Sequence, residues 1–204
     1  MFKKTRKLSL RNITEAMIMT AILGSSAYGY AELAPTALPE LATDGRLIHA
    51  TVEETQRDQG ILNIKQDVDK NVALIDWKSF DIGSNATVNV KQMVSSQTLI
   101  NNVVGNKMSE IYGKINATGN IVLINPKGAV FGGNAQVNVG GLSVYATKVD
   151  IGMQDGKPTG TISINYGSPE QGNILVKDNA QLNAGIGYAL YAKQQLANLG
   201  VESD

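Results

Sequence analysis

The chain has no cysteine, one histidine and one tryptophan among its 204 residues, and aromatic residues make up only 5% of it. Without cysteine there is no disulfide framework and no thiolate metal site. His49 has no cysteine partner and no carboxylate pattern beside it, so it reads as a surface or cap residue rather than a ligand or base. Positive charge is scarce as well. Basic and acidic residues balance at 18 each, but five of the basic ones and one acid fall in the first 31 positions. That leaves 13 against 17 beyond them, net −4, with Arg46 and Arg57 as the only arginines there. A nucleic-acid binder shows the opposite sign, clustered on one face. No phosphate loop is present either: Gly185-Ile186-Gly187 lacks a third glycine, and Gly113-Lys114 runs into Ile115 rather than Ser or Thr. No cofactor and no metal are implied.

A membrane anchor needs about 20 uninterrupted apolar residues. The run Ala16 to Leu23 falls short, bounded by Glu15 and by Gly24-Ser25-Ser26. Behind the basic head formed by Lys3, Lys4, Arg6, Lys7 and Arg11 it reads as a secretory signal peptide over 1–31. Gly29 and Ala31 supply the small residues that a signal peptidase reads, and Glu32 becomes the first mature residue.

What the chain has in quantity is glycine, asparagine and the β-branched residues, an all-β composition long enough past residue 31 for one domain. One hexapeptide recurs, as Asn85-Ala86-Thr87-Val88-Asn89-Val90, Asn134-Ala135-Gln136-Val137-Asn138-Val139 and Asn179-Ala180-Gln181-Leu182-Asn183-Ala184, at intervals of 49 and 45 residues. Repeats of short strands predict a solenoid whose coils bury apolar faces on one another. Two to three coils per interval give coils of about 20 residues. Period-two alternation turns Val137 and Val139 inward and Asn138 outward, with Val88, Val90, Ile121 and Leu123 following the same scheme. Gly and Asn at the corners accept left-handed backbone. An antiparallel sandwich is the competing architecture on alternation alone. The charged, proline-containing segment 32–60 is expected to cap the amino-terminal end of coils at 61–192. Tyr188 to Leu199 reads as a strand passing into a short helical or frayed tail, 193–204.

The run Ser109 to Leu142 contains Asn125-Pro126-Lys127-Gly128, then Ala129-Val130-Phe131-Gly132, then Val137-Asn138-Val139-Gly140-Gly141-Leu142. Co-linear motifs precede it at Trp77 to Gly83, Thr87 to Val90 and Ile100 to Gly105. From about Asn63 to Thr147 the chain resembles the amino-terminal secretion domain of the filamentous-haemagglutinin type, found in two-partner secretion exoproteins. That family's turn reads Asn-Pro-Asn-Gly, so Lys127 departs from it. A second, upstream Asn-Pro motif carried by many members has no counterpart here.

The resemblance implies a right-handed single-stranded parallel β-helix, not an enzyme, exported through the periplasm to the surface of a Gram-negative-type bacterium or beyond. Its implied partner is an outer-membrane transporter, and its implied recognition element is the turn Asn125, Pro126, Lys127 and Gly128. Residue chemistry alone explains that turn as structure: Pro126 presets the first central angle, Gly128 closes it, the Asn125 side chain bonds nearby backbone, and Lys127 faces solvent. The missing cysteines suit a chain that threads a pore, and equally a core that needs no cross-links.

The exported protein is expected to serve adhesion as a monomer. A free-standing adhesin binding host or biofilm glycans is the alternative, and a growth-inhibition toxin is a further passenger class. A β-helical polysaccharide lyase or hydrolase would draw on Asp67, Asp69, Asp76 and Asp81; the first two share a strand face by spacing, but the only arginines lie 10 or more residues upstream and no second cluster answers them. The sequons at Asn85 and Asn116 read as turn preference.

Overall fold

The computed structural model describes residues 32–165, 168–192 and 195–197. Three short strands come first: β1 (Glu40–Leu41), β2 (Leu47–Ile48) and β3 (Ala50–Glu53). Five coils follow. The first holds β4 (Ile61–Gln66) and β5 (Val72–Ser79), and the second β6 (Thr87–Lys91), β7 (Thr98–Val103) and β8 (Ser109–Ile111). β9 (Lys114–Ala117), β10 (Asn120–Ile124) and β11 (Ala129–Phe131) make the third. The fourth runs through β12 (Gln136–Val139) and β13 (Gly141–Tyr145), detours through a hairpin of β14 (Val149–Gln154) and β15 (Lys157–Ile164), and closes with β16 (Ile174–Val176). β17 (Gln181–Ala184), β18 (Tyr188–Tyr191) and β19 (Gln195–Ala197) form the fifth. Each position pairs in parallel with its equivalent one coil away, giving three sheets: β4-β6-β9-β12-β17, β5-β7-β10-β13-β18 and β8-β11-β16-β19. This is a parallel β-helix, not a sandwich.

Register gives the coil length. Leu62 pairs with Val88, Val88 with Ile115, Ile115 with Val137 and Val137 with Leu182, advances of 26, 27, 22 and 45 residues. The 49-residue repeat is therefore two coils, as the lower expectation had it, each somewhat longer than expected. The 45-residue interval is one coil, stretched by the hairpin of β14 and β15.

Alternation holds on the first sheet, where Val137 and Val139 are buried and Asn138 is exposed. On the second sheet it gives way to a continuous apolar run, because both faces are covered. Ile121 and Leu123 join the core inside the coils, while Val122 and Ile124 pack outside with Leu74, Ile100 and hairpin residues Ile151 and Ile162.

An open coil exposes unpaired strand edges that invite aggregation. Here β1 and β2 lie antiparallel on β5, and β3 lies antiparallel on β4. His49, at φ 59, makes the sharp bend that carries the chain from one sheet edge to the other. Arg46 fastens the segment, its Nε and Nη2 donating to the Asp76 carboxylate at 2.7 and 3.0 Å and its backbone N–H at 3.0 Å. Burial by itself would raise the pKa of Asp76. The hydrogen bonds from Arg46 and from Asn102 Nδ2 at 2.7 Å outweigh that and hold the carboxyl below its usual range.

Two expectations need correction. Left-handed backbone does occur at the corner residues Gly60 (φ 73), Gly128 (φ 110), Asn179 (φ 72) and Gly187 (φ 107), but not at every corner glycine, and Gly105 is one that lacks it. There the neighbouring coil passes too close for a side chain: a Cβ on Gly105 would sit 2.0 Å from the Lys78 carbonyl oxygen. The helical reading of the tail fails at 195–197, which pair in parallel with β16 because the third sheet offers an open edge there.

The repeated asparagines also find their reason. Nδ2 of Asn89, Asn116, Asn138 and Asn183 each donates to Oδ1 of the asparagine one coil earlier, at 3.2, 3.1, 3.4 and 2.9 Å. Asn63 ends the ladder by donating to Gln56 Oε1 at 3.0 Å.

Candidate recognition turn

The turn Asn125 to Gly128 joins β10 to β11 on the third coil. Gly128 N–H donates to the Asn125 carbonyl at 2.9 Å, closing a β-turn, and Lys127 N–H donates to Asn125 Oδ1 at 2.9 Å. Nδ2 of Asn125 reaches back to the second coil, donating to the Lys107 carbonyl and to Ser109 Oγ, both at 3.0 Å. Asn125 and Ser109 are buried, at 1% and 0% exposure. One side chain thus shapes its own turn and anchors it to the coil before. The link to Lys107 and Ser109 joins residues 16 and 18 positions apart, which no turn pattern announces.

Gly128 carries φ 110, and a Cβ there would meet the Asn173 carbonyl oxygen at 2.6 Å, so glycine is needed on both counts. Lys127 is exposed, as expected, with Nζ 3.9 Å from Glu170 Oε1, while Lys148 Nζ lies 4.0 Å from the other oxygen of Glu170. A groove of about 250 Å³ beside the turn is lined by Val104, Pro126, Lys127, Lys148, Val149 and Glu170, among others.

We expect Asn125→Ala to cost about 1–3 kcal/mol, because it strips a buried acceptor and two buried donations at once. Ser109→Ala should cost less, since Asn125 keeps its other two bonds. Urea midpoints of the two variants check the order.

The signal-cleavage residues Gly29 and Ala31 lie outside the described residues, and Glu32 is exposed at their boundary. The carboxylates considered for glycan chemistry are separated into different roles. Asp67 and Asp69 do not share a strand face, because β4 stops at Gln66 and both sit in the following turn, closed by Lys70 N–H to the Asp67 carbonyl. Asp69 pairs with Lys70, and Asp67 Oδ2 lies 3.6 Å from His49 Nδ1. Asp76 pairs with Arg46, 30 residues upstream, as a fastener of the amino-terminal strands.

Asp81 caps the third sheet's first edge. Its Oδ1 accepts the Glu110 N–H at 2.9 Å, beside a single parallel bridge between Ile82 and Ile111. Burial pushes its pKa up, that hydrogen bond opposes the rise, and the Glu110 charge adds to it. A folded pKa above the unfolded value means that the ionised form weakens the fold. The penalty is complete above the folded pKa and absent below the unfolded value, about 3.9. Asp81→Asn keeps an acceptor for Glu110, so it should raise the melting temperature at pH 7 and leave it unchanged near pH 3.

The chain is a parallel β-helix whose amino-terminal strands cover the sheet edges and whose Asn-Pro turn is tied between coils through the buried Asn125 side chain. The TPS secretion domain family matches residues 40–203. The chain belongs to that family, as the secretion domain of a two-partner secretion exoprotein, and the family is not one of enzymes.

A heme/hemopexin-binding protein of Haemophilus influenzae is 42% identical over 101 residues, which are 50% of this chain and 10% of that protein. A second protein of the same name, from H. influenzae strain KW20 / Rd, is 43% identical over 77 residues, 38% of this chain and 8% of that one. The chain spans about a tenth of the length of these relatives. Among solved structures, the HMW1 secretion domain of H. influenzae superposes with a TM-score of 0.55 at 20% identity, covering 76% of this chain and 40% of that one. The likeness speaks for the shared fold.

Proposed function

We propose that this domain is recognised by a cognate outer-membrane transporter while the chain is still extended, after a signal peptide ending at Ala31 has taken it to the periplasm. Coil-by-coil folding outside the cell then biases movement outward and needs no nucleotide. The observation that supports recognition before folding is the burial of Asn125. At 1% exposure its side chain is closed to any partner in the folded domain, so it acts on export either in the extended chain or by stabilising the turn.

Export through a co-expressed transporter separates these. Asn125→Ala should lower export, and Lys127→Asn, which restores the family's usual residue at an exposed site, should leave it unchanged or raise it. A purified Asn125→Ala domain that folds normally but is exported poorly assigns the residue to recognition, and one that folds poorly assigns it to the turn. Undiminished export of that variant, or equal export without a transporter, overturns the proposal. The exported protein is read as an adhesin. What the similar proteins bind gives no ligand for this chain, since the shared tenth of their length belongs to a secretion domain.

A further inference from the structure

The outward face of the second sheet is apolar although it lies outside the coils. Leu74, Ile100 and Val122 stand in register on β5, β7 and β10, and with Ile124 they form a cluster separate from the interior core, none of them more than 7% exposed. Their cover comes from later in the chain. Val149 and Ile151 of β14 and Ile162 of β15 pack on them, together with Ile48, Val72 and Tyr145. Within the hairpin Val149 pairs with Ile164 and Ile151 with Ile162, while the intervening pair, Asp150 and Ser163, is exposed, so one face of the hairpin is apolar and the other is polar.

The hairpin leaves the coils after β13, on the fourth, yet it reaches the first. A Cβ on Gly160 would lie 3.1 Å from Val72 Cγ2, and Pro158, nearer the hairpin tip, is buried. The eight residues of β15 extend over about 26 Å, against about 14 Å for the three strand spacings between the fourth coil and the first. Gly160, at φ 84, sits where the pairing shifts register between Ile151 and Met153, and an irregularity of this kind re-aims a strand. The path runs backwards, against the direction in which coils are added. A solenoid otherwise joins each coil to its neighbours alone, so this is a contact of a different kind.

We propose that the hairpin of β14 and β15 is a clasp: it closes back over the first four coils and locks them as one cooperative unit, which forms only once residue 164 is available. Until then three stacked coils present Leu74, Ile100, Val122 and Ile124 to water, and the free energy of covering them is missing from the stack. A contact between segments this far apart in the chain also forms late, because the loop between them has to close first. In the export scheme proposed above, on which this consequence alone rests, the outward bias comes mainly after residue 164 has emerged rather than equally with each coil.

Native-state hydrogen exchange on the purified, folded chain tests the clasp without a transporter. In the double variant Ile151→Ser/Ile162→Ser the amides of β5 and β7, on the first two coils, should exchange at least about tenfold faster than in the parent. Asp150→Asn/Ser163→Thr, on the exposed face of the same hairpin, should change those rates less than about twofold. Leu182→Ala loosens the fifth coil, which touches the first only through its neighbours, and should leave β5 and β7 equally unaffected. Pulse labelling during refolding of the unaltered chain decides the matter even where the double variant does not fold: β5, β7 and β10 are expected to gain protection in the same phase as β14 and β15. Acceleration confined to 141–164, equal acceleration at β5 and β7 in Leu182→Ala, or protection of β5, β7 and β10 in a phase before the hairpin each overturns the proposal. Export that needs no transporter would remove the export scheme and leave these results standing.

Discussion

Val137→Asp is expected to abolish folding, whereas Asn138→Asp is expected to leave a folded domain. Val137 is fully buried, in register between Ile115 and Leu182, and its carboxylate replacement would find no partner among the aliphatic side chains around it. Burying an unpaired charge costs at least several kcal/mol, comparable with the whole stability of a domain at about 5–15 kcal/mol. Asn138 is exposed, and aspartate there keeps the oxygen that accepts from Asn183 while losing the donation to Asn116, already long at 3.4 Å. That loss should cost about 1 kcal/mol. Circular dichroism melts of the two variants decide it, and coinciding transitions would show the strand register to be wrong.

Gly105→Ala is expected to be nearly as damaging, although it adds a single methyl group at a surface corner. The new Cβ would lie 2.0 Å from the Lys78 carbonyl oxygen, against backbone that is itself held by Val104 N–H donating to the Trp77 carbonyl at 2.8 Å. Relief requires the second coil to lift off the first, at the point where Trp77 and Phe80 pack edge to face beneath it. A cost of about 2–4 kcal/mol follows, at or above the upper range for overpacking. Gly185→Ala is the control. Its Cβ would come no closer than 3.3 Å, to the Gly140 carbonyl oxygen, and it should shift the urea midpoint little. Equal destabilisation of the two would mean that coil stacking at Gly105 is looser than its geometry.

The Arg46 and Asp76 pair carries a pH signature of opposite sign to that of Asp81. The folded pKa of Asp76 lies below its unfolded value, so its contribution is present above about pH 4 and is lost as the pH falls through the folded value. Arg46→Met should therefore destabilise at pH 7 and converge on the parent at strongly acid pH. Melts recorded across that range check it, and a constant difference would locate the effect of Arg46 in packing rather than charge.

Local chemistry made much of the fold readable in advance. Alternating Val-Asn-Val strands, corner glycines and a recurring hexapeptide state in sequence what each strand does one coil at a time, because a solenoid's contacts are between equivalent positions of successive repeats. The Asn125 turn was legible for the same reason, since an Asx-type bond and a β-turn are satisfied within four residues.

Tertiary structure decided what depends on residues far apart in the chain. Only register shows that 49 residues are two coils and 45 are one, since an inserted hairpin leaves the strand pattern on either side of it unchanged. Only packing shows why Val122 and Ile124 are buried on the supposed outer face, why Gly105 must lack a side chain, and why Asn125 also holds Lys107 and Ser109. Asn63 and Asn116 lie outside the hexapeptide, and they join the ladder only when parallel stacking aligns them with Asn89 and Asn138. Sequence by itself determined which residues turn inward or outward along most strands, for backbone geometry imposes that locally. Which of those residues meet was settled by the stacking of coils, because a contact between coils is a relation between segments that no single segment contains.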